Sequence, residues 1–176
     1  APLDYTARIK DTNVYLIEGN IYDLRLSSTQ DNIWNGKTLE IIKDATFTFP
    51  EGKSFGISYG APYTLTLDLA EDVTLSGGMT LKIATITVTG AGALAENFSW
   101  TAASEDYEVI ADATNRIYRG QIPADEAAAQ LTLADGTTTY FYTSLSNAVV
   151  GANNNPGSTL KLLQDASTSG RIALSK

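Results

Sequence analysis

The stretch TLEIIKDATFT at residues 38–48 returns as TLDLAEDVTLS at residues 66–76, which is 28 residues further along the chain. The two stretches align without a gap, and a third copy, TLKLLQDASTS, occupies residues 159–169, 121 residues after the first. Each copy opens with Thr-Leu, has an aliphatic residue two positions later and places Asp before a small or branched residue. Internal similarity of this kind predicts a repeat protein, although Thr-Leu-x-Leu also recurs by chance in Thr-rich β proteins.

Apolar and polar residues alternate within and around these copies. Leu65, Leu67 and Leu69 are separated by Thr and Asp, and Ile86 and Val88 follow the same rule. A period of two residues predicts β-strands that bury one face. Each strand is followed so closely by the next that no crossover helix fits between them. The predicted fold class is therefore all-β, with only minor helix.

Two all-β architectures fit this pattern. A short parallel β-helix-like solenoid over residues 38–95 would stack the first two copies one above the other. Leu39 would then lie beside Leu67, and Ile41 would lie beside Leu69. The alternative is an antiparallel β-sandwich built from hairpins, which gives no reason for a phrase to repeat at that distance. The 28-residue offset therefore favours the solenoid.

Two hairpins are predicted at the ends of this solenoid. Residues 107–119 read as two strands around a polar turn at 113–115, and this hairpin would close one end of the coils. The alternation between residues 7 and 26 predicts an N-terminal hairpin with its turn at residues 18–20. The first module is thus expected to contain an N-terminal hairpin, the coils and a closing hairpin.

The 121-residue offset predicts two modules. The first would cover residues 1–122, and the second would be a truncated copy over residues 123–176. Residues 123–129 combine Pro with helix-forming Ala, which predicts either a linker or a short helix between the modules. A further short helix is predicted before the third copy, from Ser144 as its N-cap to Gly151 as its stop.

Composition excludes several classes of function. The 176-residue chain has 20 acidic and 12 basic residues, and its net charge of −8 would repel nucleic acid and anionic lipid. It contains no Cys and no His, so it can form neither disulfides nor the usual nucleophile–histidine pairs. No apolar run is long enough to cross a membrane. The abundance of Thr, Ser, Asn and Gly points to an extracellular protein.

A family resemblance comes from the segment before and through the third copy. Tyr142, Ser144, Leu145 and Ala148 are followed by Pro-Gly-Ser and then by the repeat phrase at residues 159–165. This order resembles the tandem modules of large Gram-positive secreted or wall-attached proteins, which carry short pectate-lyase-like coils. The resemblance implies a right-handed parallel β-helix, a bacterial cell surface and neighbouring modules of the same parent chain as partners.

The acidic residues of the repeat are candidates for a cation site. Asp44 and Asp72 occupy the same place in the first two copies, so adjacent coils could bring them together around Ca²⁺. The alternative is that each Asp hydrogen-bonds its own turn, as Asp residues at strand ends commonly do. Because no further ligands surround them in sequence, the turn role is favoured and no cofactor is predicted.

One polar loop offers a candidate ligand-binding site. Trp34 lies beside Asp31 and Asn32, and an exposed indole ring among polar groups is typical of sugar-binding surfaces. Core packing of Trp34 is the alternative and the commoner role for such a residue. Any glycan or surface-protein partner is predicted to contact this loop.

The sequence favours a non-enzymatic structural or adhesive segment, a stalk or spacer of a bacterial extracellular protein. Stacked coils bury a continuous core, whereas no set of residues is organised for catalysis. A carbohydrate-binding β module using Trp34 is the second hypothesis. A fragment of a polysaccharide-lyase-like enzyme is the third, because such enzymes use clustered acids and calcium.

Overall fold

The computed structural model describes residues 4–21 and 34–165, which form fifteen strands and one helix. The predicted all-β class is confirmed, because nearly every alternating segment becomes a short strand with its apolar side chains inside. The elements are β1 (Ala7–Ile9), β2 (Tyr15–Leu16), β3 (Asn20–Ile21), β4 (Lys37–Ile41), β5 (Ala45–Phe47), β6 (Tyr63–Leu69), β7 (Thr74–Leu81), β8 (Ala84–Thr89), β9 (Ala93–Leu94), β10 (Ser99–Ala102), β11 (Glu108–Asp112), β12 (Ile117–Gln121), β13 (Ala129–Thr132), β14 (Thr139–Tyr142), α1 (Leu145–Asn154) and β15 (Thr159–Leu162).

The largest sheet has seven strands in the order β11-β12-β8-β6-β4-β1-β2. Its three central strands, β4, β6 and β8, run parallel. Leu39 pairs with Leu67 and Ile41 with Leu69, which are the pairs that the 28-residue offset predicts. The next step is shorter, since Leu67 pairs with Val88. Aliphatic residues, such as Leu39, Leu67 and Val88, are therefore aligned across three neighbouring strands.

A second sheet has the order β10-β7-β5-β3, with β9 also paired to β7, and all of its pairs are parallel. From β4 to β8 the chain alternates between the two sheets. Leu67 from the first sheet and Leu75 from the second belong to one buried cluster and have no exposed surface. We call these two sheets and their shared core the two-sheet body.

The two predicted hairpins have different outcomes. β11 and β12 form an antiparallel pair around the polar turn, as predicted, and β12 pairs with β8 at the end of the sheet. At the other end β1 pairs with β2 around residues 10–14, where Asp11 has a φ of 63°. The predicted turn at residues 18–20 is wrong, because β3 leaves the hairpin and pairs in parallel with β5.

The third sheet is antiparallel, with the order β14-β13-β15, and α1 packs on it. Ser144 caps α1 as predicted, accepting a hydrogen bond from the amide of Asn147 at 3.2 Å. The helix continues to Asn154, so the prediction that Gly151 ends it is wrong. A Cβ at Gly151 would lie 2.1 Å from the hydroxyl of Tyr142, so this glycine permits close helix–strand packing.

The third sheet joins the two-sheet body through a small apolar cluster. Ile83, Ile122 and Ala127 are buried there, with Phe141 packed against them. Residues 123–128, for which the sequence leaves a linker or a helix open, pass through a turn on the way to β13. Within residues 4–21 and 34–165, no helix is long and apolar enough to span a bilayer.

Candidate functional site

A cleft of about 380 Å³ lies where the third sheet meets the two-sheet body. One side is formed by β8 and β12, and another by β14 and the residues just before it, with Gly60 at the border. Apolar Ile83, Ile122 and Phe141 line it and also belong to the cluster that joins the two parts. The volume is within the range of small-ligand sites, roughly 300–1,000 Å³.

Arg119 provides the positive charge of the cleft. It pairs with Thr85 across the β8–β12 ladder, so both side chains project from the same face of the sheet. Its side chain is exposed and forms no hydrogen bond or ion pair with another residue of the described ranges. The pKa of Asp112 is lowered mainly by hydrogen bonds from Asn115, and the charge of Arg119 lowers it further. A guanidinium in this position is available to an anionic ligand.

A tight turn around Asp135 shapes the facing wall. Its carboxylate accepts hydrogen bonds from the amides of Thr137 and Thr138, both at 2.8 Å, and one from the Thr138 hydroxyl. These bonds stabilise the charged form and hold the pKa of Asp135 at about 2. Next to them, burial and the negative charge of Asp135 raise the pKa of Tyr140. Tyr140 therefore keeps its proton at neutral pH, and its ring packs against Leu131 and Tyr142 on the face of the third sheet that α1 covers.

The cleft combines groups that recognise a polar, negatively charged ligand. Arg119 can bind a carboxylate through two parallel hydrogen bonds. The hydroxyls of Thr85 and Thr137 can donate to and accept from ligand hydroxyls, and Phe141 offers an apolar ring. Among the residues that the structure describes, no three acidic side chains gather as metal ligands. The charged, hydroxyl and aromatic groups of the cleft are suited to binding a ligand.

Trp34 lies in the core of the two-sheet body. Only 1% of its surface is exposed, and its indole Nε1 has no hydrogen-bond partner in the described part of the chain. The core-packing alternative is the one that the structure shows, and the exposed ring that a sugar platform requires is missing. Asp31 and Asn32, its proposed companions, lie outside the described residues.

Asp44 and Asp72 are not level with each other in the ladder that joins their strands. The ladder between β5 and β7 has an offset of 30 residues, which places Asp44 beside Thr74. The Asp44 carboxylate accepts a hydrogen bond from the amide of Thr74 at 2.8 Å, and Asp72 occupies the turn before β7 with a φ of 64°. Asp44 thus links two strand ends, whereas the favoured alternative has it hydrogen-bond its own turn.

Sequence reasoning missed the cleft residues. Arg119 and Phe141 come from different sheets and line one cleft only because the third sheet packs on Ile83 and Ile122. A single exposed Arg in a strand carries no pattern, and Thr residues before a strand read as an ordinary turn. The one available signal is the small number of basic residues, 12 in the chain. Because they are few, each exposed Arg is a candidate for binding an anionic ligand.

The described residues thus define an all-β protein with parallel and antiparallel sheets and a polar cleft between two of its parts. No protein-family model, curated protein or solved structure matches the chain. The likeness to tandem Gram-positive surface modules therefore stays a prediction. The geometry of the sheets and of the cleft is therefore the basis for a functional proposal.

Proposed function

We propose that the chain is a non-enzymatic structural module, a stalk or spacer of a bacterial extracellular or cell-surface protein. A spacer must hold its two ends apart and resist bending. Supporting this proposal, the strand order in the seven-stranded sheet nearly follows the order of the strands in sequence. The outermost strands of this sheet, β2 and β11, lie six strand spacings apart, or about 29 Å at about 4.8 Å each.

We infer that residues 38–95 form a short parallel solenoid. Two features support this inference: β4, β6 and β8 are parallel in one sheet, while β5, β7 and β9 are parallel in the other. Each passage through both sheets is one coil, and the alternation of the chain between sheets produces it. An antiparallel sandwich built from hairpins would not place the repeated phrase in parallel register.

Spin-label distances test the spacer proposal. Ile17 follows β2 and is 63% exposed, and Ile110 on β11 is 44% exposed. The chain has no Cys, so Ile17→Cys with Ile110→Cys gives two unique label sites. A rigid spacer predicts one narrow distance peak near 30 Å, given the strand spacing of about 4.8 Å. A broad distribution in the folded protein would reject the proposal.

The cleft favours a second candidate function, the binding of an acidic saccharide. A uronate sugar has a carboxylate for Arg119, hydroxyls for Thr85 and Thr137, and an apolar ring face for Phe141. This candidate retains the carbohydrate-binding hypothesis but moves it from Trp34 to residues with exposed polar groups. Binding and spacing are compatible in one module.

Titration calorimetry with oligogalacturonate tests the second candidate. The native chain should bind the acidic oligosaccharide and should show no binding to a neutral one of the same length. Arg119→Gln should lower the affinity at least 10-fold, because a charged hydrogen-bonded pair is lost. Lys53→Gln removes an exposed positive charge that is not among the lining residues and should leave affinity unchanged. Absence of binding to the native chain would remove this candidate.

A further inference from the structure

The third sheet repeats the arrangement of three strands in the two-sheet body. In the first arrangement β1 lies between β2 and β4, and all its pairs are antiparallel. In the second, β13 lies between β14 and β15, again with antiparallel pairs. β4 and β15 carry the first and third copies of the repeat phrase. The same phrase therefore occupies the same place in both three-stranded units.

The register within the two units is also the same. Each inner strand places Ala opposite an aliphatic residue of the repeat phrase, then a polar residue opposite a charged one, then an aliphatic residue opposite Leu. The pairs are Ala7–Ile41, Arg8–Glu40 and Ile9–Leu39 in the first unit, and Ala129–Leu162, Gln130–Lys161 and Leu131–Leu160 in the second.

The backbone that leads into the repeat phrase agrees as well. Gly36 has a φ of 75° and Gly157 a φ of 81°, and each precedes the Thr-Leu phrase by two residues. Both lie in the left-handed region, which costs glycine little and other residues more. Register, strand order and this glycine all indicate that residues 129–162 reproduce the beginning of the two-sheet body.

The two units differ in what covers them. Ile41 in β4 has no exposed surface, because parallel strand β6 and the second sheet pack against it. Its counterpart Leu162 is 53% exposed. Within the described ranges, β15 is paired with β13 along one edge alone. An exposed aliphatic face beside a strand edge is a template for another strand.

We propose that β15 is the first strand of a second solenoid, and that a following coil of the same polypeptide covers its open edge. That coil adds a parallel strand with aliphatic residues level with Leu160 and Leu162, as β6 does for Leu39 and Ile41. This inference rests on the proposed function, since it describes how one spacer module connects to the next. The interface is continuous β-sheet, which transmits the rigidity of one module to its neighbour.

An extended protein tests this inference. Asp165 corresponds to Asp44, so residues 1–165 followed by a second copy of residues 45–122 would add coils after β15. In hydrogen exchange, the amides of residues 159–162 should exchange about 10-fold or more slowly in the extended protein than in the 176-residue chain. A control extension with Leu65, Leu67 and Leu69 of the added copy changed to Ser should give no such protection.

Substitution at Leu162 gives a second, independent readout. Leu162→Lys should shift Tm by less than about 1 °C in the 176-residue chain but lower it by about 5 °C or more in the extended protein. Ile41→Lys should lower Tm in both. Equal effects of Leu162→Lys in the two proteins, or unchanged exchange at 159–162, would overturn the proposal.

The oligomeric state of the 176-residue chain also tests the proposal. Sedimentation should show the 176-residue chain as a monomer. A dimer that dissociates with Leu162→Lys would identify a second copy as the occupant of β15 and reject a following coil. These results do not depend on the spin-label distance across the two-sheet body, so the spacer proposal and the connection between modules can fail separately.

Discussion

Gly77 shows how a single residue determines the distance between neighbouring strands. It lies in β7 with a φ of 92°, and a Cβ there would lie 2.2 Å from the carbonyl oxygen of Phe47 in β5. Gly77→Ala should therefore lower the free energy of unfolding by about 2–5 kcal/mol, through backbone strain and strand displacement. Urea denaturation measures this loss.

Gly52 provides the matched comparison for Gly77. It also has a positive φ, 73°, but a Cβ there would meet nothing within 4 Å. Gly52→Ala should cost about 1–2 kcal/mol, the conformational part alone. If the two variants proved equally stable, close strand approach at Gly77 would contribute nothing measurable.

Asp135 should make the stability of the protein depend on pH. Its pKa is about 2 in the folded protein against an ordinary value of 3.8, because the charged carboxylate accepts hydrogen bonds from Thr138 and Thr137. A lowered pKa means that this stabilisation is complete above the ordinary value and is lost as pH falls through about 2. Asp135→Asn should thus be less stable than the native chain at pH 6, with the difference shrinking towards pH 2. A difference that stays constant over this range in urea titrations would contradict the argument.

At the scale of elements, the hairpin β11–β12 is attached to both sheets of the two-sheet body. β12 pairs with β8 in the first sheet, while Tyr118 on β12 stacks on Trp100 of β10 in the second. The ring centroids are 4.1 Å apart and the ring planes are inclined by 10°. Such a pair contributes about 0.5–1.5 kcal/mol beyond the area that it buries.

Removing one ring should loosen this hairpin selectively. In Tyr118→Ala, the amides of β11 and β12 should exchange about 10-fold faster, while those of β6 keep their protection. Tyr59→Ala is the control, since Tyr59 is 51% exposed and makes no ring contact in the described part of the chain. Equal acceleration in β6 and in the hairpin would show a global rather than a local effect.

Elements were predictable from sequence where a single physical requirement determined them. Leu39 and Leu67 must both be buried, and the repeat phrase offers one register that does this, so their pairing could be predicted. The position of the N-terminal turn could not be predicted, because residues 10–14 and 18–20 both carry turn-forming residues. Gly151 reads as a helix stop, but its contact with Tyr142 is a tertiary requirement that no local pattern contains.

At the scale of the whole molecule, the cluster around Ile122 couples the third sheet to the two-sheet body. Ile122 is 3% exposed, so Ile122→Ala should cost about 2–5 kcal/mol and weaken this coupling. Both Trp residues pack in or against the core of the two-sheet body, so Trp fluorescence reports that part alone. In Ile122→Ala, thermal unfolding followed by circular dichroism should begin before the change in fluorescence.

Val150 is the control for this experiment. It lies on α1, is 56% exposed and should be replaceable by Ala without separating the two transitions. If the circular dichroism and fluorescence curves of Ile122→Ala remain superimposed, the third sheet unfolds together with the two-sheet body, and the prediction is wrong.

The cleft belongs to this largest scale, and for that reason the sequence could not predict it. Its walls come from β12 and β14, which are joined by packing at Ile83 and Phe141 rather than by a shared ladder. Composition supports a prediction that nucleic acid is not a partner, because net charge is a property of the whole chain. It could not place Arg119 and Phe141 in one cleft.

The near-sequential strand order also has a consequence for how the chain is made. Between β4 and β8 each new strand pairs with one that lies 21 to 30 residues earlier in the chain. At a synthesis rate of about 5–20 residues per second, one coil leaves the ribosome every 1–6 seconds or so. When a strand emerges from the ribosome, the strand with which it pairs has already emerged, so this region can fold from its N-terminal end to its C-terminal end during synthesis.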